Sequence, residues 1–169
     1  MGPGHVPRVV AAMKLAATIL ILLLAQPAKL RPCDTTEGEC SDLAANIAEA
    51  ADTAGLVTGV DPSLLVAIAH HETRFNQERV GRKGRGLWGL NPRSRAYRNA
   101  VAQCDIWPEQ CTVAQALAAA RYLADERRRC GSWDGALRSY GSGRCEGRAG
   151  ERYLRGLRVS IARIERGAR

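Results

Sequence analysis

A glutamate set into the apolar face of a helix constrains this chain more than any other feature. The stretch from Asp61 to Phe75 reads DPSLLVAIAHHETRF. Asp61 suits an N-cap, and Pro62 then takes the first helical position, where its missing N–H costs nothing. Leu65, Ile68, Ala69 and Glu72 follow at i, i+3, i+4 and i+7, the spacing of one buried face. Glu72 therefore points toward the core or a cleft in it. An unpaired ionised carboxylate there is expensive, so its pKa rises or a specific partner holds it. A carboxyl group kept protonated near neutral pH serves as a general acid. A lone Glu in such a stripe is more often a stripe-edge residue that reaches water or half of an ion pair, so the rest of the chain has to decide.

The length of 169 residues predicts one domain with a proper core, and the abundant alanine favours helix. Lys14 precedes the apolar run from Leu15 to Ala25, which Gln26, Pro27 and Ala28 follow. That is the layout of a signal peptide, and cleavage after Ala25 or Ala28 is expected. Val9 to Ala12 lengthen the run enough to keep an uncleaved membrane anchor as the alternative. Residues 1–28 are thus read as a signal peptide or anchor, 29–40 as a polar linker or arm, and 41–169 as the working domain. All six cysteines (Cys33, Cys40, Cys104, Cys111, Cys130 and Cys145) follow the apolar run. An even count in an exported chain reads as three disulfides. Cys104–Cys111 and Cys130–Cys145 close short local loops and are the favoured pairs. No cysteine or histidine spacing suits zinc, and the position four after His71 is Phe75, which excludes a zincin helix. His70 and His71 read as a flank and a partly buried helix residue. The net charge is +8, and it falls to +6 without Arg8 and Lys14; 22 of the 25 basic residues are Arg. Such a surface can attract nucleic acid, an acidic glycan or an anionic envelope; no RNA-binding or helix-turn-helix pattern favours nucleic acid, and a solvated Arg-rich surface accounts for the larger part of the charge.

About five helices are expected. One opens at Ser41 and Asp42, buries Leu43, Ile47, Ala50, Ala51 and Ala54, and ends near Gly55 or Gly59. The Glu72 helix follows. Residues 76–110 break the pattern and read as loop, with Leu87, Trp88 and Leu90 forming either a lid or a cleft wall. Thr112 with Gln115 is a capping-box signature for a third helix that buries Val113, Ala116, Leu117, Ala120 and Leu123 or Ala124. A short helix capped by Ser132 reaches Tyr140, and the last, from about Arg148, buries Leu154, Leu157, Ile161 and Ile164.

Three segments then carry a resemblance. VDPSLLVAIAHHETRF is similar to a Val-Asp-Pro helix ending in Glu-Ser-x-Phe, with Thr73 in the Ser place. KGRGLWGLNP aligns without gaps to a Gly-Ala-x-Gly-Leu-Met-Gln-Leu-Met-Pro loop. ALRSYGSG stands where Ala-Leu-x-x-Tyr-Asn-x-Gly is found, and ARYL at Ala120–Leu123 matches the helix before it. In this order they resemble the catalytic domain of lytic transglycosylases of the soluble (SLT) type, in the lysozyme-like superfamily that includes goose-type lysozymes. The resemblance covers about residues 41–165. It implies a mainly α, lysozyme-like domain in which an irregular loop region forms one wall of the cleft. It further implies that Glu72 is the single acid/base and that Thr73 helps to position it. Phe75, Gly86, Leu87 and Trp88 are implied at the glycan cleft, with Tyr140 near the carboxyl group. The implied reaction is cleavage of the β-1,4 bond between N-acetylmuramic acid and N-acetylglucosamine in peptidoglycan, yielding a 1,6-anhydro product without metal or organic cofactor. The expected place of action after export is the periplasm or cell envelope, with secretion as the alternative.

Two positions depart from the family. Its loop Gln is Gly89 here, and the Asn after its Tyr is Gly141. Trp88, in place of Met, is expected to offer a flat stacking face to a sugar. Gly141 is expected at a helix end as a left-handed cap, and restoring Asn there is expected to raise activity about three- to tenfold; Gly89→Gln is left open between gain and clash. Two rivals stand. A hydrolytic lysozyme needs a second carboxylate from Asp105, Glu109 or Glu146, and a catalytically impaired peptidoglycan-binding scaffold is the reading that the two glycines favour.

Overall fold

A computed structural model describes residues 5–33, 37–76, 84–106 and 110–167, without the side chains of 5–9, 28 and 37. Seven α-helices occur among the described residues: α1 (His5–Leu24), α2 (Glu37–Thr58), α3 (Pro62–Thr73), α4 (Arg95–Ile106), α5 (Cys111–Cys130), α6 (Trp133–Ser142) and α7 (Arg148–Gly167). The fold is mainly α, as the sequence implies, and α1 and α4 stand beside the helices read from the sequence.

The Glu72 helix α3 packs against α2 and α7 and touches α5. Its start follows from its residues: Asp61 accepts a 2.7 Å hydrogen bond from the Ser63 N–H, and Pro62 stands in the first turn. An unbroken run from Leu65 to His70 is buried, so neighbours press on almost the whole circumference. Each fully buried Leu or Ile contributes about 1.5–3 kcal/mol, and Leu65 and Ile68 fix the rotation of the helix. The helix stops at Arg74, which is left-handed at φ 58° and returns its N–H to the His70 carbonyl; Phe75 follows at φ 65°. Gln26, just after α1, donates to the Arg74 carbonyl at 3.0 Å and ties the N-terminal segment to this end.

Four sequence expectations need correction. Helix α2 begins at Glu37 rather than Ser41. Its first turn is pinned by the Cys33–Cys40 disulfide, which makes a helical start there cheaper than the polar composition implies. Helix α4 lies within the stretch read as loop. Only its Ala100 is buried, so it lacks a strong apolar stripe; Ser94 caps it by accepting from the Tyr97 N–H at 3.1 Å, and Cys104–Cys111 anchors its far end to α5. The Thr112–Gln115 capping box does not form. Gln110 holds the N-cap position of α5, and the Gln115 side chain works elsewhere. His70 is a core residue rather than a flank: its Nδ1 lies 2.9 Å from Ser160 Oγ on α7, and burial first, then Arg74 and Arg163, lower its pKa to about 4.

Helix α1 lies on α2 and α7, with Leu15, Thr18, Ile19 and Leu23 buried. Among the described residues no helix is long and apolar enough to cross a membrane. The disulfides are Cys33–Cys40, Cys104–Cys111 and Cys130–Cys145. Cys130–Cys145 fastens the end of α5 to the turn beyond α6 across a sequence separation of 15. A loop of that length contributes about 3 kcal/mol by restricting the unfolded chain. The Cys130→Ser/Cys145→Ser double variant should lose about that much in denaturant unfolding, and the oxidised wild type should show no free thiol when unfolded.

Candidate active site

The loop beyond α3 doubles back on itself. Arg85 and Leu90 exchange backbone hydrogen bonds of 2.9 and 3.0 Å, so residues 86–89 form a closed turn. Gly86 and Gly89 stand at its ends with φ of +70° and +59°, which glycine adopts without strain. Three helices hold the turn. Thr73 Oγ1 on α3 is 3.0 Å from the Leu87 carbonyl, Gln115 Oε1 on α5 accepts from the Leu87 N–H at 3.1 Å, and the Tyr140 hydroxyl on α6 donates to the Trp88 carbonyl at 2.6 Å. The Trp88 indole points inward and donates to the Leu65 carbonyl of α3 at 3.0 Å. Gly86 is required for a second reason, since a Cβ there would fall 2.2 Å from Gln115 Oε1.

Against this turn lies a cleft of about 460 Å³, bordered on one side by Gly84 and Gly89 to Asn91, and on the other by Tyr122, Tyr140 to Gly143 and Tyr153. Glu72 enters it from the last turn of α3. Its Oε1 accepts a 2.7 Å hydrogen bond from the Tyr153 hydroxyl on α7, while Oε2 lies over Gly89. Burial raises the Glu72 pKa, and the Tyr153 bond partly opposes that rise by favouring the ionised form. The balance keeps a protonated carboxyl group in a cleft to higher pH than usual, with one oxygen oriented. Burial, with the charge of Glu72, holds the phenol pKa values of Tyr140 and Tyr153 well above the ordinary value, so both remain hydroxyl donors. Tyr153 is itself braced by His71, whose ring meets it edge-on at 4.9 Å, and by the Tyr140 ring stacked at 6.4 Å.

Glu72, Thr73 and Tyr140 of the expected site residues line the cleft together. Phe75, Leu87 and Trp88 do not reach it, being 0% exposed. The stacking face expected of Trp88 is therefore absent, because a buried indole needs an acceptor for its N–H and finds it at Leu65, inside the core. Gly86 faces Gln115. Gly86, Leu87 and Trp88 build the wall from behind, and Phe75 packs against the His70 ring. Tyr153, Tyr122, Asn91, Ser94 and Gln115 are site or supporting residues that the sequence reading missed. The only signal for Tyr153 was an aromatic beside the apolar stripe of α7, one residue before Leu154.

The two glycines also differ from expectation. Gly141 lies inside α6, and the left-handed cap is Gly143 at φ 77°. A Cβ on Gly141 would fall 2.1 Å from Tyr153 Cγ, and one on Gly89 would fall 2.5 Å from Glu72 Oε2. The space that a side chain would need is filled by the acid and its hydrogen-bond donor.

Residues 49–155 match the family model of the transglycosylase SLT domain. The chain belongs to that family. The SLT match spans α3, the turn, α4 to α6 and the Tyr153 turn of α7, so every cleft residue named above falls within it. Neither the curated proteins nor the solved structures gave a match. SLT membership implies action on peptidoglycan of the transglycosylase type, with a lysozyme-like, mainly α fold.

Proposed function

We propose that the protein is a peptidoglycan lytic transglycosylase in which Glu72 is the only acid/base. One observation carries this reading: Glu72 is the only carboxyl group among the described residues lining the cleft, with its pKa raised by burial and one oxygen held by Tyr153. Protonated Glu72 donates to the glycosidic oxygen leaving the N-acetylmuramic acid. The N-acetyl group of that sugar stabilises the positive charge developing at C1, a substrate-assisted route that needs no second carboxylate. The primary hydroxyl of the same sugar then attacks C1 and passes its proton to ionised Glu72, closing the 1,6-anhydro ring. An intramolecular nucleophile competes with water through proximity alone.

A hydrolase that aims water with a second carboxylate is less well supported. Asp105 and Glu146 are exposed and do not line the cleft, while Glu109 lies outside the described residues. A relic scaffold is also less well supported, because Gly89 and Gly141 make room for the acid and its donor. Action in the envelope after export agrees with three disulfides, which persist in oxidising compartments. Residues 1–28 are proposed as the export signal, and their removal would uncover the surfaces of α2 and α7 beneath α1.

Clearing of purified sacculi by the protein tests the activity, and no clearing would overturn it. Tyr153→Phe tests the electrostatics. Loss of the hydroxyl removes the bond that favours ionised Glu72, so the acid stays protonated to higher pH. The alkaline limb of the rate profile should therefore move to higher pH, with a lower maximal rate from the lost orientation. An unmoved limb would mean that Tyr153 does not act on Glu72.

A further inference from the structure

Five arginines adjoin cleft-lining residues in the chain, on both sides of the cleft. Arg85 adjoins Gly84, and Arg93 and Arg95 flank Ser94, on the turn and α4 side; Arg144 adjoins Gly143, and Arg152 adjoins Tyr153, on the α6 and α7 side. All five are exposed, and none forms an ion pair among the described residues. Elsewhere on α5 to α7, Arg128 pairs with Asp125, Arg129 with Glu126, Arg138 with Glu151 and Arg158 with Asp134, while Arg155, Arg163 and Arg166 on α7 are exposed and, like the five, form no ion pair among the described residues. Glu151, the acid nearest to Arg152 in the chain, is thereby committed to Arg138, and Glu146 is the one acid near Arg144 without a bridge. A neutral sugar backbone gives a guanidinium little to pair with. A carboxylate matches its fork geometry and is bound in two-pronged fashion.

We infer that Arg85, Arg93, Arg95, Arg144 and Arg152 form a carboxylate-reading rim. On this account the substrate is a glycan strand bearing anionic substituents on both sides of the bond being cut, as against an uncharged chitin-like glycan. The inference rests on the peptidoglycan reading above and refines it. In peptidoglycan the carboxylates belong to the peptide stems, or to the lactyl group where a stem is missing. The rim gathers the charged strand and orients it across Glu72, and its contribution weakens with salt because the pairs face water.

The test is co-sedimentation of the Glu72→Gln protein with purified sacculi, native or with carboxyl groups converted to amides by carbodiimide and ammonia. Binding should be strong to native sacculi, fall with rising salt, and drop about tenfold or more on amidated sacculi. Exposed pairs are individually weak, so Arg85→Gln/Arg93→Gln/Arg95→Gln and Arg144→Gln/Arg152→Gln should each lower affinity for native sacculi by roughly three- to tenfold, with no further loss on amidated ones. Arg155→Gln/Arg163→Gln/Arg166→Gln, which removes three exposed charges farther along α7, should change affinity less than either rim variant. Strands stripped of peptide keep the lactyl carboxylate; binding kept there assigns the rim to the lactyl group, and binding lost assigns it to the stems. Equal binding to native and amidated sacculi, or equal loss from the α7 control, would overturn the inference. Binding is read without turnover, so an inactive wild type would count against the proposed function and leave this result to stand by itself.

Discussion

Glu72→Gln should abolish cleavage of sacculi, with a loss of roughly 2 to 4 orders of magnitude or more, the range for removing a general acid. The substitution is nearly isosteric, and the Tyr153 hydroxyl that donates to Oε1 at 2.7 Å finds the same acceptor in the amide oxygen. The amide is neutral at every pH, so the variant retains the shape of the cleft and loses only the titrating proton. Thermal stability should be unchanged or slightly raised, since burial penalises the charged form of Glu72. Initial clearing rate with a melting curve alongside reads both effects. Retention of most activity would remove Glu72 from the chemistry.

Gly141→Asn should be the second most damaging change, although family resemblance alone points to a gain. The new Cβ would arrive 2.1 Å from Cγ of Tyr153, close to the base of a ring that also touches Tyr140 and His71. That ring has little room to retreat without taking its hydroxyl from Glu72. Overpacking of this kind costs about 1–3 kcal/mol of stability, and displacing a catalytic group by about 1 Å costs on the order of a hundredfold in rate. Gly89→Gln should fail by a different route: a left-handed φ of +59° costs a non-glycine residue about 1–2 kcal/mol, and its Cβ would displace the Glu72 carboxyl itself. The distinguishing readout is a Gly141→Asn/Tyr153→Phe double variant. If the introduced side chain acts only by pushing Tyr153 aside, the double variant should be little worse than Gly141→Asn alone. A gain in rate at either single site would mean that these positions are vacated substrate contacts.

What the sequence disclosed and what it hid follow from the range of the interactions. Helix α3 was legible because its signals are local: an Asp cap, a Pro in the first turn, and an apolar stripe that carries Glu72 with it. Helices α6 and α7 were legible for the same reason, through Ser132 and through Leu154, Leu157 and Ile164. Helix α4 was not, since a cap at Ser94 and a disulfide at Cys104 substitute for the stripe that periodicity looks for. Gln115 was misread because its spacing from Thr112 suits a capping box, while the Leu87 N–H, 28 residues away in sequence, is the donor it meets. Trp88 was placed in the cleft by alignment to a Met, yet an indole brings an N–H that a thioether lacks, and the Leu65 carbonyl draws it inward. The roles of Tyr153, Gly89 and Gly141 arise only where α3, α6, α7 and the turn converge. No spacing within one segment encodes such a meeting.

The most direct test of single-carboxyl catalysis is the chemistry of the ends that the protein creates. Purified sacculi digested with the wild-type chain and analysed by mass spectrometry should yield muropeptides terminating in 1,6-anhydro-N-acetylmuramic acid, absent from a parallel Glu72→Gln digest. Products ending in free reducing N-acetylmuramic acid would show that water, rather than the sugar's own hydroxyl, completes the reaction, and would contradict the mechanism.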